Sequence, residues 1–200
     1  MFEAFDLFVL RALYAAGEAS AWLDIVTAVT FLGSGFMLVG LAPAFFRREL
    51  RAHSLSLLVT IAVTSGVVAS VKAIVGRARP CHSLDWVHPI IAAIPTDPSF
   101  PSGHAAGSFA FAAFLFAKSR RIGLALFAMA TAVAASRIAL GVHYPSDVLA
   151  GALLGALLGT SGARVHMRFT VPEVASEVPR SAAVDSAAVD LSDADAETAR

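Results

Sequence analysis

Ser136-Arg137-Ile138-Ala139-Leu140-Gly141-Val142-His143-Tyr144-Pro145-Ser146-Asp147 carries a cation, an imidazole and a carboxylate between two apolar segments. An arginine suits the grip of an anion, an imidazole suits attack on an electrophilic centre, and a carboxylate four residues on suits holding that imidazole in one tautomer. A histidine and an aspartate beside a helix start also serve capping and packing. The meaning of the stretch therefore depends on where the other polar residues fall in an otherwise apolar chain.

Working outward, the apolar flanks place the chain in a membrane. Hydrophobic residues make up 57% of the 200 positions and charged ones 15%, with a mean hydropathy of +0.72, well away from soluble composition. A formal net charge of zero gives no basic bias toward nucleic acid, which is excluded as a partner class. The single cysteine, Cys81, excludes an intrachain disulfide and a multi-cysteine metal site. Met1 to Asp6 lacks a basic segment and a following small-residue cleavage site, so no cleaved leader is expected and the membrane helices carry the targeting.

The pattern predicts an all-α, polytopic membrane helix bundle of five transmembrane helices plus an N-terminal amphipathic helix, with a sixth span as the alternative for that segment. The amphipathic helix runs from Phe2 to Ala16, with Phe5, Phe8, Val9, Ala12 and Leu13 as its apolar positions and Glu3, Asp6 and Arg11 as interruptions. The spans are Trp22 to Phe46, Ser54 to Val75, His104 to Ala117, Ile122 to Leu140 and Asp147 to Ala163, the third and fifth on the short side. A long polar connection from Gly76 to Ser102 holds five of the nine prolines. Arg47, Arg48 and Arg51, then Lys118, Arg120 and Arg121, then Arg164 and Arg168 fall at one set of helix ends, which the positive-inside rule assigns to the cytoplasm. Lys72, Arg77, Arg79 and Arg137 fall at the opposite ends, against that rule, and so call for another reason.

Gly151, Gly155 and Gly159 let the last helix approach a neighbour closely, and packing within the bundle is favoured over a homodimer seam. Residues 1–169 read as one membrane domain. Residues 170–200, rich in Ala, Ser, Val, Asp and Glu, read as a disordered acidic tail on the cytoplasmic side.

Three polar clusters converge on the extracytoplasmic face: Lys72 with Arg77, Arg79 and Pro80; Pro101-Ser102-Gly103-His104; and the opening stretch. An ionisable residue inside a span costs about 2.5–3.5 kcal/mol at the bilayer centre, less near its ends where long cations snorkel. Snorkelling explains any one of these cations; it does not explain three beside two histidines. The group suits phosphoryl transfer, in which the phosphoryl oxygens are gripped and the leaving oxygen is protonated. Pro101-Ser102-Gly103 before a helix would aim backbone N–H groups and the Ser102 hydroxyl at the same anion, and His104 would act as acid while His143 attacks.

In these signatures the sequence resembles the type 2 phosphatidic acid phosphatase (PAP2) superfamily of membrane lipid phosphatases. Lys72, then six residues, then Arg79-Pro80 meets the first signature; Pro101-Ser102-Gly103-His104 meets the second. Ser136-Arg137, five residues, His143, three residues, Asp147 meets the third. The resemblance covers Lys72 to Asp147 directly. It implies that His143 forms a phosphohistidine, that Asp147 orients it, that His104 is the general acid, and that Lys72, Arg79, Ser102, Gly103 and Arg137 bind the phosphate. It also implies a metal-independent reaction without a cofactor, in keeping with a sequence that has no carboxylate cluster suited to magnesium.

Small bacterial members that act on undecaprenyl diphosphate are the best match in length and in Gly141 to Asp147, with phosphatidic acid or phosphatidylglycerophosphate as alternative substrates. An anion transporter lined by the same cations is the alternative from a different class, and the apolar spans argue against the soluble haloperoxidase relatives. Arg77 and Ser136 lie inside the signatures, with Arg77 expected to serve the interface or the substrate rather than the phosphate directly. His82, Asp85 and His88 read as a solvated loop rather than a metal site, Trp86 with Ile90 and Ile91 as headgroup-level anchors, Asp24 as interfacial, and Tyr144 and Pro145 as shaping the start of the last helix.

Overall fold

The computed structural model describes residues 2–17, 20–32, 47–88 and 95–170. Among the described residues the regular structure is entirely helical: α1 (Phe2–Gly17), α2 (Ser20–Leu32), α3 (Arg48–Val75), α4 (Pro80–Ser83), α5 (Gly103–Phe116), α6 (Arg120–Ala139) and α7 (Pro145–Thr170). Residues 33–46 of the first expected span, the Ile90–Ile91 pair and residues 171–200 of the expected tail lie outside the described residues. Among the described residues, three stretches are long and apolar enough to cross a membrane, Leu50–Ser83, Arg120–Ala139 and Pro145–Phe169.

Two helices are longer than their sequence suggests. α3 begins at Arg48, absorbing the basic cluster that reads as a terminator, and α7 continues to Thr170, past the expected end at Ala163. Charged residues at a membrane helix end do not stop the helix, because they extend into the interface with its backbone bonds intact. α5 is the short one, and its 14 residues rise about 21 Å against a hydrocarbon core of about 30 Å.

α5 and α6 pack as neighbours, α3 lies against α5, and α1 and α2 both rest on α6. The glycine seam of α7 works inside the bundle, as expected. A Cβ at Gly151, Gly155 or Gly159 would run into the carbonyls of Ser102, Ala106 and Ala110 in turn, so backbone meets backbone along α5. The opposite face of α7 presents Leu149, Leu153 and Leu157 outward.

α1 is turned the same way, with large apolar side chains outside. Phe5 and Phe8, two of the apolar positions that mark its pattern in the sequence, are exposed, whereas Asp6, Leu10 and Tyr14, four residues apart, form the buried stripe. Where lipid is the solvent, the apolar face turns outward and the face carrying a polar group turns toward protein.

Two chain reversals aim the signature residues. α3 ends at Gly76, whose left-handed φ of 61° lets its N–H bond Lys72 O at 3.0 Å, and the chain leaves toward Arg77 and Arg79. α6 ends in a Schellman motif around Gly141 (φ 70°), with Gly141 N bonding Ile138 O at 2.9 Å and Val142 N bonding Arg137 O at 3.3 Å. A side chain at Gly141 would strike Val87 and Tyr14. The motif turns the chain so that His143 follows directly, buried at 2% exposure.

Candidate active site

His143 lies in the connection between α6 and α7 with each ring nitrogen committed. Nε2 is 3.2 Å from Arg79 Nη1. A guanidinium can only donate, so Nε2 carries the lone pair and the ring proton sits on Nδ1. Nδ1 faces Ser99 Oγ at 3.3 Å and Asp147 Oδ2 at 3.6 Å. The second distance is too long for a direct hydrogen bond, and Ser99 fills the gap by donating to Asp147 Oδ2.

Asp147 stands at the third position of α7 and is fully buried. Its Oδ2 accepts from Tyr144 N at 2.8 Å, the return half of a capping box, so the same carboxylate that orients the imidazole also starts the helix. Its Oδ1 accepts from Arg77 Nη1 at 2.6 Å. Pro145 opens α7 and Tyr144 supplies the cap, as the sequence suggests.

Burial pushes His143 down to about 4; Asp147 opposes the shift, while Arg79 and Arg137 reinforce it. The imidazole is therefore neutral at ordinary pH, with its Nε2 lone pair available once Arg79 yields.

Arg79 faces that lone pair, and Lys72 and Arg137 lie in the same charged cluster. Arg79, 3% exposed, fixes its guanidinium by donating to Val142 O at 2.9 Å and to Asp97 O and Oδ1 at 2.8 Å each. Lys72 Nζ pairs with Asp97 Oδ2 at 2.8 Å and also donates to Pro98 O. Arg137 is buried, and among the described residues its Nε has no hydrogen-bond partner, an open donor for an anion. His104, in the first turn of α5, feels the charges of Arg137, His143, Arg79 and Lys72, which places it in the same cluster.

Ser102 differs in detail from expectation. Its hydroxyl caps α5 by accepting from Ala105 N at 3.5 Å, and its own N–H donates to Asp147 O at 2.9 Å. By helix geometry the N–H donors of Gly103 and His104 stay open to an anion, and the Ser102 hydroxyl, an acceptor in the cap, keeps its own O–H to donate beside them.

Three residues absent from the sequence-based set enter the site: Asp97 on Lys72 and Arg79, Ser99 between His143 and Asp147, and Asp6 on Arg77. Asp97 and Ser99 sit in a proline-rich connection where nothing in the spacing marks them. Asp6 carries a readable signal, being a carboxylate four residues before Leu10 and eight before Tyr14 on one helix face. Asp97 is held down at about 2; burial works against that shift, and Lys72 and Arg79 overcome it. Arg77 makes its contacts to Asp6, Ser146 and Asp147 and lies 4.0 Å over the Tyr144 ring, where the sequence suggests a place at the interface or on the substrate. Ser136 Oγ meets Thr30 Oγ1 at 2.7 Å, joining α6 to α2. Trp86 stacks edge-on with Tyr14 under the Arg11 guanidinium, and Asp24 is exposed. Among the described residues no group of three His, Cys, Asp or Glu is placed to hold a metal ion, His82, Asp85 and His88 included.

Known proteins are similar to this chain in sequence and in fold. The chain is 34% identical to a lipid A 1-phosphatase of Rhizobium etli over 74% of this chain and 67% of that protein. It is 30% identical to the putative undecaprenyl-diphosphatase YbjG of Escherichia coli over 82% of this chain and 84% of that protein. Several other relatives are matched over about half of their own length, 42–52%. Among solved structures, Aquifex aeolicus LpxE aligns with a TM-score of 0.71 and 29% identity, covering 80% of this chain and 95% of that one. A family model described as the PAP2 superfamily matches residues 53–170, which span all three signatures and the helices that carry them, and the chain belongs to that superfamily.

Proposed function

We propose that the chain is an integral membrane phosphatase that hydrolyses a lipid phosphate or diphosphate through a phosphohistidine. The observation that carries this reading is the placement of His143: buried, with its proton on Nδ1 and its Nε2 lone pair facing the Arg79 guanidinium. In the first step Nε2 attacks phosphorus and forms a P–N bond while the P–O bond to the lipid breaks. His104 takes up a proton as the negative charge of the substrate offsets the cations around it, and gives that proton to the departing oxygen. In the second step His104 takes a proton from water, the water oxygen attacks phosphorus, and the P–N bond breaks to release phosphate and restore His143. Lys72, Arg79, Arg137 and the N–H groups at Gly103 and His104 hold the phosphoryl oxygens, and Asp147 stabilises the charged ring. No step calls on a metal.

Undecaprenyl diphosphate is the favoured substrate. The match to YbjG, named as a putative undecaprenyl-diphosphatase, spans more than four-fifths of both chains and supports it. The charge bias of the loops supports a site on the extracytoplasmic side with the C-terminal segment in the cytoplasm.

Purified protein in detergent, offered undecaprenyl diphosphate, phosphatidic acid and phosphatidylglycerophosphate, tests the reading by phosphate release. The first should be hydrolysed fastest, His143→Ala should abolish turnover, and dialysis against EDTA should leave the rate unchanged. Wild-type rates in His143→Ala would exclude the phosphohistidine route. Loss on dialysis that magnesium restores would exclude the metal-free one. A cysteine introduced at Thr96 in a Cys81→Ser background should react with an impermeant thiol reagent from outside the cell, and labelling from the cytoplasm alone would invert the topology.

A further inference from the structure

Two ion pairs, Asp6–Arg77 and Arg77–Asp147, run from the N-terminal helix to the carboxylate that Ser99 links to the His143 imidazole. Arg77 Nη2 donates to Asp6 Oδ2 at 2.7 Å, and Nη1 donates to Asp147 Oδ1 at 2.6 Å and to Ser146 Oγ at 2.7 Å. Asp6 grips the first turn of α7 as well, accepting from Ser146 N at 2.8 Å and from Ser146 Oγ at 2.6 Å. The Tyr144 ring lies against the guanidinium and keeps the fork in place.

Asp6 is 2% exposed. Burying a carboxylate is costly unless it is paired, and the rest of the buried stripe of α1, Leu10 and Tyr14, packs in an apolar cluster with Val87 and Ile138, where a carboxylate has no packing use. α1 also lies outside residues 53–170, so the three signatures do not account for it. What Asp6 supplies is charge. Arg77 alone on Asp147 would make a neutral pair and cancel the field that the imidazole requires from its partner. Two carboxylates on one guanidinium leave a net negative charge, and the second carboxylate draws Arg77 to one side so that Asp147 Oδ2 stays free for Ser99, Tyr144 N and the ring.

We infer that Asp6 is a positioning residue of the active site: acting through Arg77, it holds the Asp147 carboxylate in the orientation and net charge that fix the His143 tautomer. The inference rests on His143 being the reacting group.

The test uses the full chain in detergent micelles with ¹⁵N-labelled histidine, the His143 signals being identified by their absence in His143→Gln. In the wild type at neutral pH the ring should be the Nδ1–H tautomer. In Asp6→Asn the two ring nitrogen signals should move toward each other as the tautomers mix, while Glu3→Gln on the exposed side of α1 leaves them in place. Kinetics supply a second readout: kcat for Asp6→Asn should fall about tenfold with KM within about twofold. In an Asp147→Asn background the same change should cost nothing further. Unmoved His143 signals in folded Asp6→Asn, or additive losses in the double variant, overturn the inference. Should Asp6→Asn not fold, Arg77→Lys, which keeps the charge and loses the fork, takes its place: mixed tautomers support the inference and unmoved signals overturn it. A wild type that releases phosphate from no lipid would defeat the proposed function, while the nuclear resonance arm would still decide the role of Asp6.

Discussion

The carboxylate of Asp97 bridges to Arg79, Oδ1 lying 2.8 Å from Nη2, and its other oxygen lies equally close to Lys72 Nζ. A half-exposed loop carboxylate thus rests on two of the cations expected to bind phosphate, and a phosphoryl group must displace it. Asp97→Asn should therefore lower KM for lipid phosphate and the inhibition constant for inorganic phosphate several-fold, with a smaller change in kcat. A raised KM in steady-state assays would instead make Asp97 a residue that holds the cations in place.

Ser99 separates His143 from the carboxylate that orients it. Removing a buried hydrogen bond to a charged group costs about 1.5–3 kcal/mol. If that loss appears in the transition state, Ser99→Ala should reduce kcat roughly 10- to 100-fold with little change in KM. Equal rates for Ser99→Ala and wild type would mean that His143 and Asp147 close directly when substrate binds.

The buried ring makes stability depend on pH in a defined direction. His143 titrates near 4 in the folded chain against an ordinary value of 6.5, so between those limits the unfolded chain binds more protons. Its contribution to stability is complete above about 6.5 and fades as pH falls toward about 4. Thermal unfolding in detergent at a series of pH values should show this slope in the wild type, and His143→Gln should flatten it. Across the range from about 5 to 8 His143 remains neutral, so an acid limb of kcat/KM near 6.5 would have to come from another group.

Along α7, Gly155 faces the carbonyl of Ala106 with no room for a methyl group. Overpacking of this kind costs about 1–3 kcal/mol. Gly155→Ala should lower the melting temperature and reduce activity, because the same seam sets the spacing between Ser102 and Asp147, whose backbones are bonded at 2.9 Å. Leu153→Ala on the exposed face should leave both almost unchanged.

The sequence by itself determined the class of the fold and marked the cations and histidines of the proposed phosphate site. Long apolar helices, cations stranded at the wrong helix ends, and the spacing from Lys72 to Arg79, from Pro101 to His104 and from Arg137 to Asp147 are all local patterns. They survive in one dimension because each signature is short enough to be fixed by one helix end. Tertiary structure alone decided which charge sits on which. Asp97 on Lys72 and Arg79, Ser99 between His143 and Asp147, and Asp6 on Arg77 are contacts across 18 to 71 residues, made by single side chains whose partners no local spacing names. The facing of α1 went the same way. Hydropathy shows that its two faces differ, but which one meets protein depends on whether the surroundings are water or lipid, and on the guanidinium of another segment that draws Asp6 inward.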